Sequence, residues 1–290
     1  MLIVNKNTVE QKPPQSQLLK WVGNKQRIAA QIIQRFPVTY NTFYEPFLGS
    51  GAIMATLCPQ KGIGTDIYSP LIELWKALKE DPEKLIDWYR ERIDRVKVSD
   101  KVTVYNQIRE SFNQYNNPAD FIFLIRVCYG GVIRFRKADG WMSTPCGVHN
   151  PITTETFRKR VYEWHCRLRH IEFQQCDYKV IFDQARKGDL VYCDPPYPNS
   201  QNILYGAHNF KLVELFDCIE SARKKGVFVA LSLNGFSKSG NYLKALSTTG
   251  DLFKEDISLP LGNSMLKRFH MEGLSLDNER IVKDRLFLTY

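Results

Sequence analysis

The chain contains no run of 18 apolar residues, and its opening, MLIVNKNTVEQKPPQSQ, has no basic-then-apolar pattern. A membrane-spanning helix needs about 20 consecutive apolar residues and a secretory leader needs a charged start before an apolar stretch. The protein is therefore expected to be neither secreted nor membrane-spanning. Its seven cysteines (58, 128, 146, 166, 176, 193 and 218) include no CxxC pair and are odd in number. That usage speaks against a disulfide framework and suits reduced thiols in the cytoplasm. His165, Cys166, His170 and Cys176 match no common zinc spacing, so no metal is expected. Repeats and low-complexity tracts are also lacking.

What is present is ordinary in bulk. A chain of 290 residues, 43% hydrophobic and 24% charged, suits one large globular domain or two smaller ones. The charge is less ordinary: 40 basic against 31 acidic residues leave +9, which points toward a polyanionic partner.

Local patterns divide the chain. Residues 1–17 are polar, include KPP, and read as a loose tail. TFYEPFLGSGAIMATLC (42–58) reads as strand, glycine turn and helix, and KGIGTDIYSP (61–70) adds a strand ending at Asp66. Strand–helix–strand in this order is the signature of a parallel sheet. Residues 69–165 look different and mostly helical. Ser69–Pro70 and Asp81–Pro82 each read as a cap with proline in the first turn, and Leu85, Ile86, Trp88, Tyr89 and Ile93 recur at helical spacing. PADFIFLIRVCYGG gives a third helical pattern, VIRFRKADGWMSTPCG a hairpin turning near KADG, and TETFRKRVYEWHCRLRH a closing helix. Strand–helix alternation then returns through IEFQQCD, DLVYCD, KLVELFDCIESARKKG and VFVALS. The expected fold is an α/β domain, 18–68 with 166–290, interrupted by a helical insert at 69–165.

Three stretches carry chemistry. Gly49 and Gly51 before a helix let a ligand approach the backbone and the helix N-terminus, and Asp66 at the next strand tip can accept both hydroxyls of a ribose. A tight turn and a turn acid are the plainer alternatives. GDLVYCDPPYPNS (188–200) ends an apolar strand in an acid, two prolines and a tyrosine. Asp194 can accept a hydrogen, the stiff Pro195–Pro196 turn exposes carbonyl oxygens without N–H groups, and Tyr197 offers a flat face. Two acceptors and a stacking ring match the exocyclic amine of a planar base. Finally, Arg126, Arg134, Arg136 and Lys137 interleave with Tyr129, Phe135 and Trp141, a combination suited to phosphate contact, base edges and wedging into a stack. A solvated basic hairpin is the alternative. Pro145–Cys146 is the dipeptide of covalent cytosine methylation, but it precedes DPPY and falls inside the insert.

Read in order, LLKWVGNK (18–25), FLGSG (47–51) and DPPY (194–197) resemble the KWxGGK, FxGxG and catalytic blocks of the alpha-class N6-adenine DNA methyltransferases, the group of the bacterial Dam enzymes. Asn24 and Ser50 stand where that family commonly has glycine, and Gly130 stands where many relatives have asparagine. The resemblance implies a Rossmann-like methyltransferase domain carrying an inserted target-recognition domain. It implies S-adenosylmethionine as cofactor, with Lys20, Trp21 and Lys25 at its methionine end. Phe47, Gly49 and Gly51 would form the loop and Asp66 hold the ribose; Asp177 would take the adenine amine, with Tyr178 stacking beside it and Asp194 adjoining. Double-stranded DNA is the implied substrate, at a short adenine-containing palindrome of which GATC is the commonest, in a bacterial nucleoid or a phage-infected cell. A monomer is expected, with a dimer on DNA as the alternative. The implied reaction is direct methyl transfer to a flipped adenine, with Asp194, Pro195, Pro196 and Tyr197 catalytic and no covalent intermediate or metal. Methylation of an amine in RNA or protein, and DNA binding without catalysis, are the competing readings.

Overall fold

The computed structural model describes residues 12–196, 210–234, 250–262 and 282–290. Among them seven strands form one sheet in the order β3-β2-β1-β4-β5-β7-β6. These are β1 (Phe43–Glu45), β2 (Gly62–Asp66), β3 (Glu172–Gln175), β4 (Leu190–Cys193), β5 (Phe228–Asn234), β6 (Glu255–Gly262) and β7 (Val282–Leu288). The first five pair in parallel, whereas β7 lies antiparallel to both β5 and β6. Strand order reverses between β1 and β4, so the crevice for a ligand opens beyond the carboxyl ends of these two strands. This is the doubly wound α/β architecture that the strand–helix alternation predicts.

Alternation along the central strands divides the core into two layers. Phe43, Leu190 and Tyr192 face one apolar cluster; Tyr44, Val191 and Cys193 face the other. The second layer is covered by α8 (Tyr178–Gln184) and α9 (Leu212–Lys224). The first is covered by α1 (Ala29–Ile33) and α2 (Ala52–Leu57) together with the helices between β2 and β3. Those helices are α3 (Ser69–Glu80), α4 (Pro82–Val98), α5 (Lys101–Tyr115), α6 (Pro118–Val127) and α7 (Thr154–Leu168). Their buried residues, from Trp75 and Tyr89 to Phe112 and Trp164, are continuous with the sheet's own cluster.

Several local details differ from the sequence expectation. The helix α5 was not legible as a unit, although Asp100 caps it and Val104, Tyr105, Ile108 and Phe112 bury one stripe. Ser69 lies inside α3 and not at its cap, whereas Asp81 caps α4 as expected by accepting from the Lys84 backbone N–H at 3.0 Å. From residue 12 onward the expected loose tail is pinned along α7. Ser16 O accepts from the Trp164 indole at 2.9 Å, Gln17 O accepts from Arg160 at 2.9 Å, and the Gln15 N–H reaches Glu163 at 2.7 Å. No helix among the described residues is long and apolar enough to cross a membrane.

Candidate active site

Beyond the carboxyl ends of β1 and β4 lies a cavity of about 240 Å³. Residues from all three motif blocks line it: Trp21 and Lys25, then Phe47 and Gly49, then Asp194 to Pro196. Asp66, Asp177 and Tyr178 complete the expected wall.

The glycine loop is shaped by two tryptophans. Gly49 and Gly51 both have positive φ, 45° and 61°, the left-handed region that favours glycine. A Cβ on Gly49 would stand 2.8 Å from Trp21 Nε1, and one on Gly51 would stand 3.2 Å from the Trp75 ring. Gly51 therefore packs on Trp75 while Gly49 borders the cavity. Asp66 fixes the loop from the next strand, its carboxylate accepting from Gly49 N at 3.2 Å and Tyr68 N at 3.1 Å. Burial pushes the Asp66 carboxyl up to about 6, against the downward pull of these backbone N–H groups.

An aromatic wall faces the loop. Phe47 stacks on Tyr178 with centroids 5.2 Å apart, and Phe210 meets both edge-on at 5.7 and 5.9 Å. Phe210 was not singled out from sequence, though its signal was present as an aromatic just ahead of the α9 pattern. Asp177 caps α8 by accepting from Lys179 N at 2.9 Å and also borders the cavity.

At the tip of β4, Asp194 Oδ1 lies 2.9 Å from Lys25 Nζ. The same ammonium lies 3.3 Å from Asp284 Oδ2 and donates to Gly23 O at 3.0 Å. Lys25, expected at the cofactor's carboxylate, is thus turned to two carboxylates of the protein. Among the described residues three oxygens surround this ammonium. Burial alone would lower the Lys25 pKa, but Asp194 and Asp284 outweigh it and hold the group above the ordinary lysine value. Glu45 ends β1 beside this cluster, fully buried, with Oε2 accepting from Met54 N in the first turn of α2 at 3.0 Å. Burial pushes its carboxyl well above the usual range, partly offset by that N–H and reinforced by Asp194. Glu45 and Asp284 were both missed in the sequence. Glu45 was legible by symmetry, since YEP ends β1 as CDPP ends β4. Tyr197 lies outside the described residues. Among the described residues no cluster of three or more His, Cys, Asp or Glu could hold a metal.

The remaining expected residues lie in the insert or, for Lys20, against it. Lys20 is not on the cavity wall; its stem packs against Gly131, where a Cβ would lie 2.9 Å from Lys20 Cβ. Burial, with Arg126 nearby, lowers the Lys20 pKa. Arg126, expected at a DNA surface, is instead buried at 4% exposure. Its guanidinium donates to Leu18 O and Gln17 O and lies 5.8 Å above the Phe157 ring, so it holds the N-terminal segment from inside the fold. The hairpin itself forms as predicted, with bridges Cys128–Cys146 and Phe135–Met142. Alternation buries Ile133, Phe135, Met142 and Thr144 and exposes Arg134, Arg136, Lys137 and Trp141, with Tyr129 exposed at its base. Arg136 is tied to Asp139 at 3.0 Å and lies 5.4 Å over the Trp141 ring.

Comparison with known proteins bears on this arrangement directly. Residues 21–255 match the family described as D12 class N6 adenine-specific DNA methyltransferase. The chain is 28% identical over 248 residues to the type II methyltransferase M1.LlaDCHI of Lactococcus lactis subsp. cremoris, covering 80% of this chain and 84% of that one. It is 27% identical over 240 residues to a DNA adenine methylase of Haemophilus influenzae, covering 78% and 81%. A DNA N-6-adenine-methyltransferase of Escherichia phage P1 is 27% identical over 75% of this chain, but the match spans only 30% of that longer protein. The matched span takes in the glycine loop, the hairpin and the DPPY strand, and the chain belongs to the D12 class of N6 adenine-specific DNA methyltransferases.

Proposed function

We propose that the cavity holds S-adenosylmethionine and that Asp194 and the Pro195 carbonyl receive the amino group of an adenine extruded from duplex DNA. The observation that carries this reading is the sharing of one cavity by Asp194, Pro195 and Pro196 with Asp66, Phe47 and Tyr178. The residues fit such a cofactor: a glycine loop with no side chain to obstruct it, a carboxylate suited to ribose hydroxyls, and stacked rings suited to a purine. Asp66 would hold the ribose, the Phe47–Tyr178 wall the purine, Asp177 its amine, and Trp21 the amino-acid end. Bound there, S-adenosylmethionine supplies an electrophilic methyl group.

The chain's own residues do the rest. The N6 lone pair of adenine is delocalised into the ring and is a poor nucleophile. Asp194 and the Pro195 carbonyl, accepting the two N6 hydrogens, favour a tetrahedral nitrogen whose lone pair is released from the ring. The carboxylate also stabilises the positive charge that develops on that nitrogen. Inside a duplex the amine is out of reach, so the base leaves the stack. Tyr197 is assigned the stacking face, an interaction worth about 1–3 kcal/mol per base. Residues 69–165 are assigned to target recognition, with Arg134 reading a base edge and Lys137 meeting phosphate.

Transfer of labelled methyl groups to unmethylated genomic DNA, followed by digestion to nucleosides, tests the reading. Label should appear in N6-methyladenine. Asp194→Ala should remove nearly all transfer while calorimetric cofactor binding largely survives. Asp194→Asn should keep a fraction, because its amide retains one acceptor oxygen. An Asp194→Ala enzyme working at the wild-type rate would refute the assignment.

A further inference from the structure

We infer that Asp284 is a positioning residue for methyl transfer: it holds Lys25 beside Asp194 and supplies the second negative charge that keeps the acceptor end of the site anionic. This rests on the role proposed for Asp194. The topology places Asp284 where such a residue can act. Because β7 runs against the parallel strands, its first residues lie at the carboxyl edge of the sheet, and Asp284 pairs with Asn234 at the end of β5. Asp284 is 2% exposed and does not line the cavity, so it acts by holding Lys25 and by its charge, without a contact of its own in the cavity.

The charges around Lys25 explain why a second acid is needed. Lys25 and Asp194 alone, 2.9 Å apart, form a neutral pair. A neutral pair offers less to a nitrogen gaining positive charge than a net anion does. Asp284, 3.3 Å from the same ammonium, brings a second carboxylate to it, one more than the ammonium offsets. Glu45, buried beside the cluster, has its carboxyl pushed well above the usual range, which disfavours its charged form. The Asp284 contact is an ion pair without hydrogen-bond alignment, which suits a role exercised by charge. Lys25 in turn lies between the two carboxylates and offsets their mutual repulsion.

Single-turnover methyl transfer to unmethylated genomic DNA, with separate calorimetry for cofactor and for DNA, tests the inference. Asp284→Asn should slow transfer by about tenfold or more while both affinities stay within about twofold, a loss smaller than that of a group touching the reacting atoms. Asp284→Glu should recover most of the rate. The double variant Lys25→Met/Asp284→Leu, which removes both compensating charges, should be faster than Asp284→Asn and faster than Lys25→Met. An Asp284→Asn enzyme at the wild-type rate overturns the inference, as does a double variant no faster than the singles, which would mean a merely structural role. If Asp284→Asn does not fold, the comparison of the double variant with Lys25→Met decides alone. Asp194→Ala in the same assay separates the two levels: wild-type transfer there would remove the reading of Asp194 itself.

Discussion

The indole of Trp21 closes the outer side of Gly49, leaving no room for a Cβ, which would fall 2.8 Å from its Nε1. The first motif block therefore shapes the second. Gly49→Ala meets both this clash and a φ of 45°, a strained conformation costing about 1–3 kcal/mol. Cofactor affinity measured by calorimetry should fall about tenfold or more, tenfold corresponding to about 1.4 kcal/mol. Wild-type affinity would show that the loop does not contact the cofactor.

Asp66 makes a prediction with two signs. Its carboxyl, raised to about 6, must be ionised to accept two hydroxyls well, so cofactor affinity should drop as pH falls through about 6. In Asp66→Asn that pH dependence should disappear along with most of the affinity. Stability should move the other way. A folded-state value above the ordinary 3.8 means that the folded protein holds this proton more tightly than the unfolded chain. The group's contribution is then most favourable at low pH and is lost as pH rises through about 6. Titrating cofactor binding and thermal unfolding over the same range separates ligand contact from fold.

The aromatic wall should matter ring by ring. Tyr178→Ala and Phe210→Ala should each weaken cofactor binding, by about 1 kcal/mol beyond the area lost, because each removes a partner of Phe47. Tyr178→Phe keeps the stack and should bind nearly as the wild type does. Equal losses for Tyr178→Phe and Tyr178→Ala in calorimetry would assign the work to the hydroxyl.

The arginines of the insert should divide into two kinds. Arg126→Ala takes the guanidinium from the buried Leu18 carbonyl and should cost about 2–4 kcal/mol of stability, read as a fall in denaturation midpoint. Arg134→Ala, at an exposed position, should leave stability alone and narrow the gap between cognate and non-cognate DNA. Lys137→Ala should weaken binding to all sequences and reduce the salt slope by about 1. Identical behaviour of Arg134→Ala and Lys137→Ala would remove the division between reading and positioning.

The residues legible in the sequence are those whose chemistry is local. Gly49, Gly51, Asp66 and DPPY announce themselves because a strand end and a turn are written in consecutive letters, and the structure gathers Gly49, Asp66 and Asp194 to Pro196 at one cavity. Long-range partners were not legible. Nothing beside Lys25 in the chain signals that Asp284, from the last strand, will share its ammonium. Arg126 was misassigned by its neighbours in the hairpin motif, although its setting in FIFLIRV, an apolar run, was the sign of burial. The helix α5 escaped because its four buried positions are diluted by polar residues on every other face.

With target recognition assigned to residues 69–165 as proposed, the apolar layer common to the insert and the sheet constrains how such an enzyme can acquire a new target sequence. Trp75 on α3 stacks on Trp164 of α7 and on Phe173 of β3, so the interior of the insert runs without a break into that of the sheet. Transplanting residues 69–165 as a cassette from a relative would tear that layer, leaving cavities in both pieces. The outer face of the hairpin, where Arg134, Lys137 and Trp141 stand clear of the layer, can be rewritten without disturbing it. New specificities should therefore arise by exchanging a few exposed side chains on a fixed scaffold, while whole-insert chimaeras fail before they can be assayed.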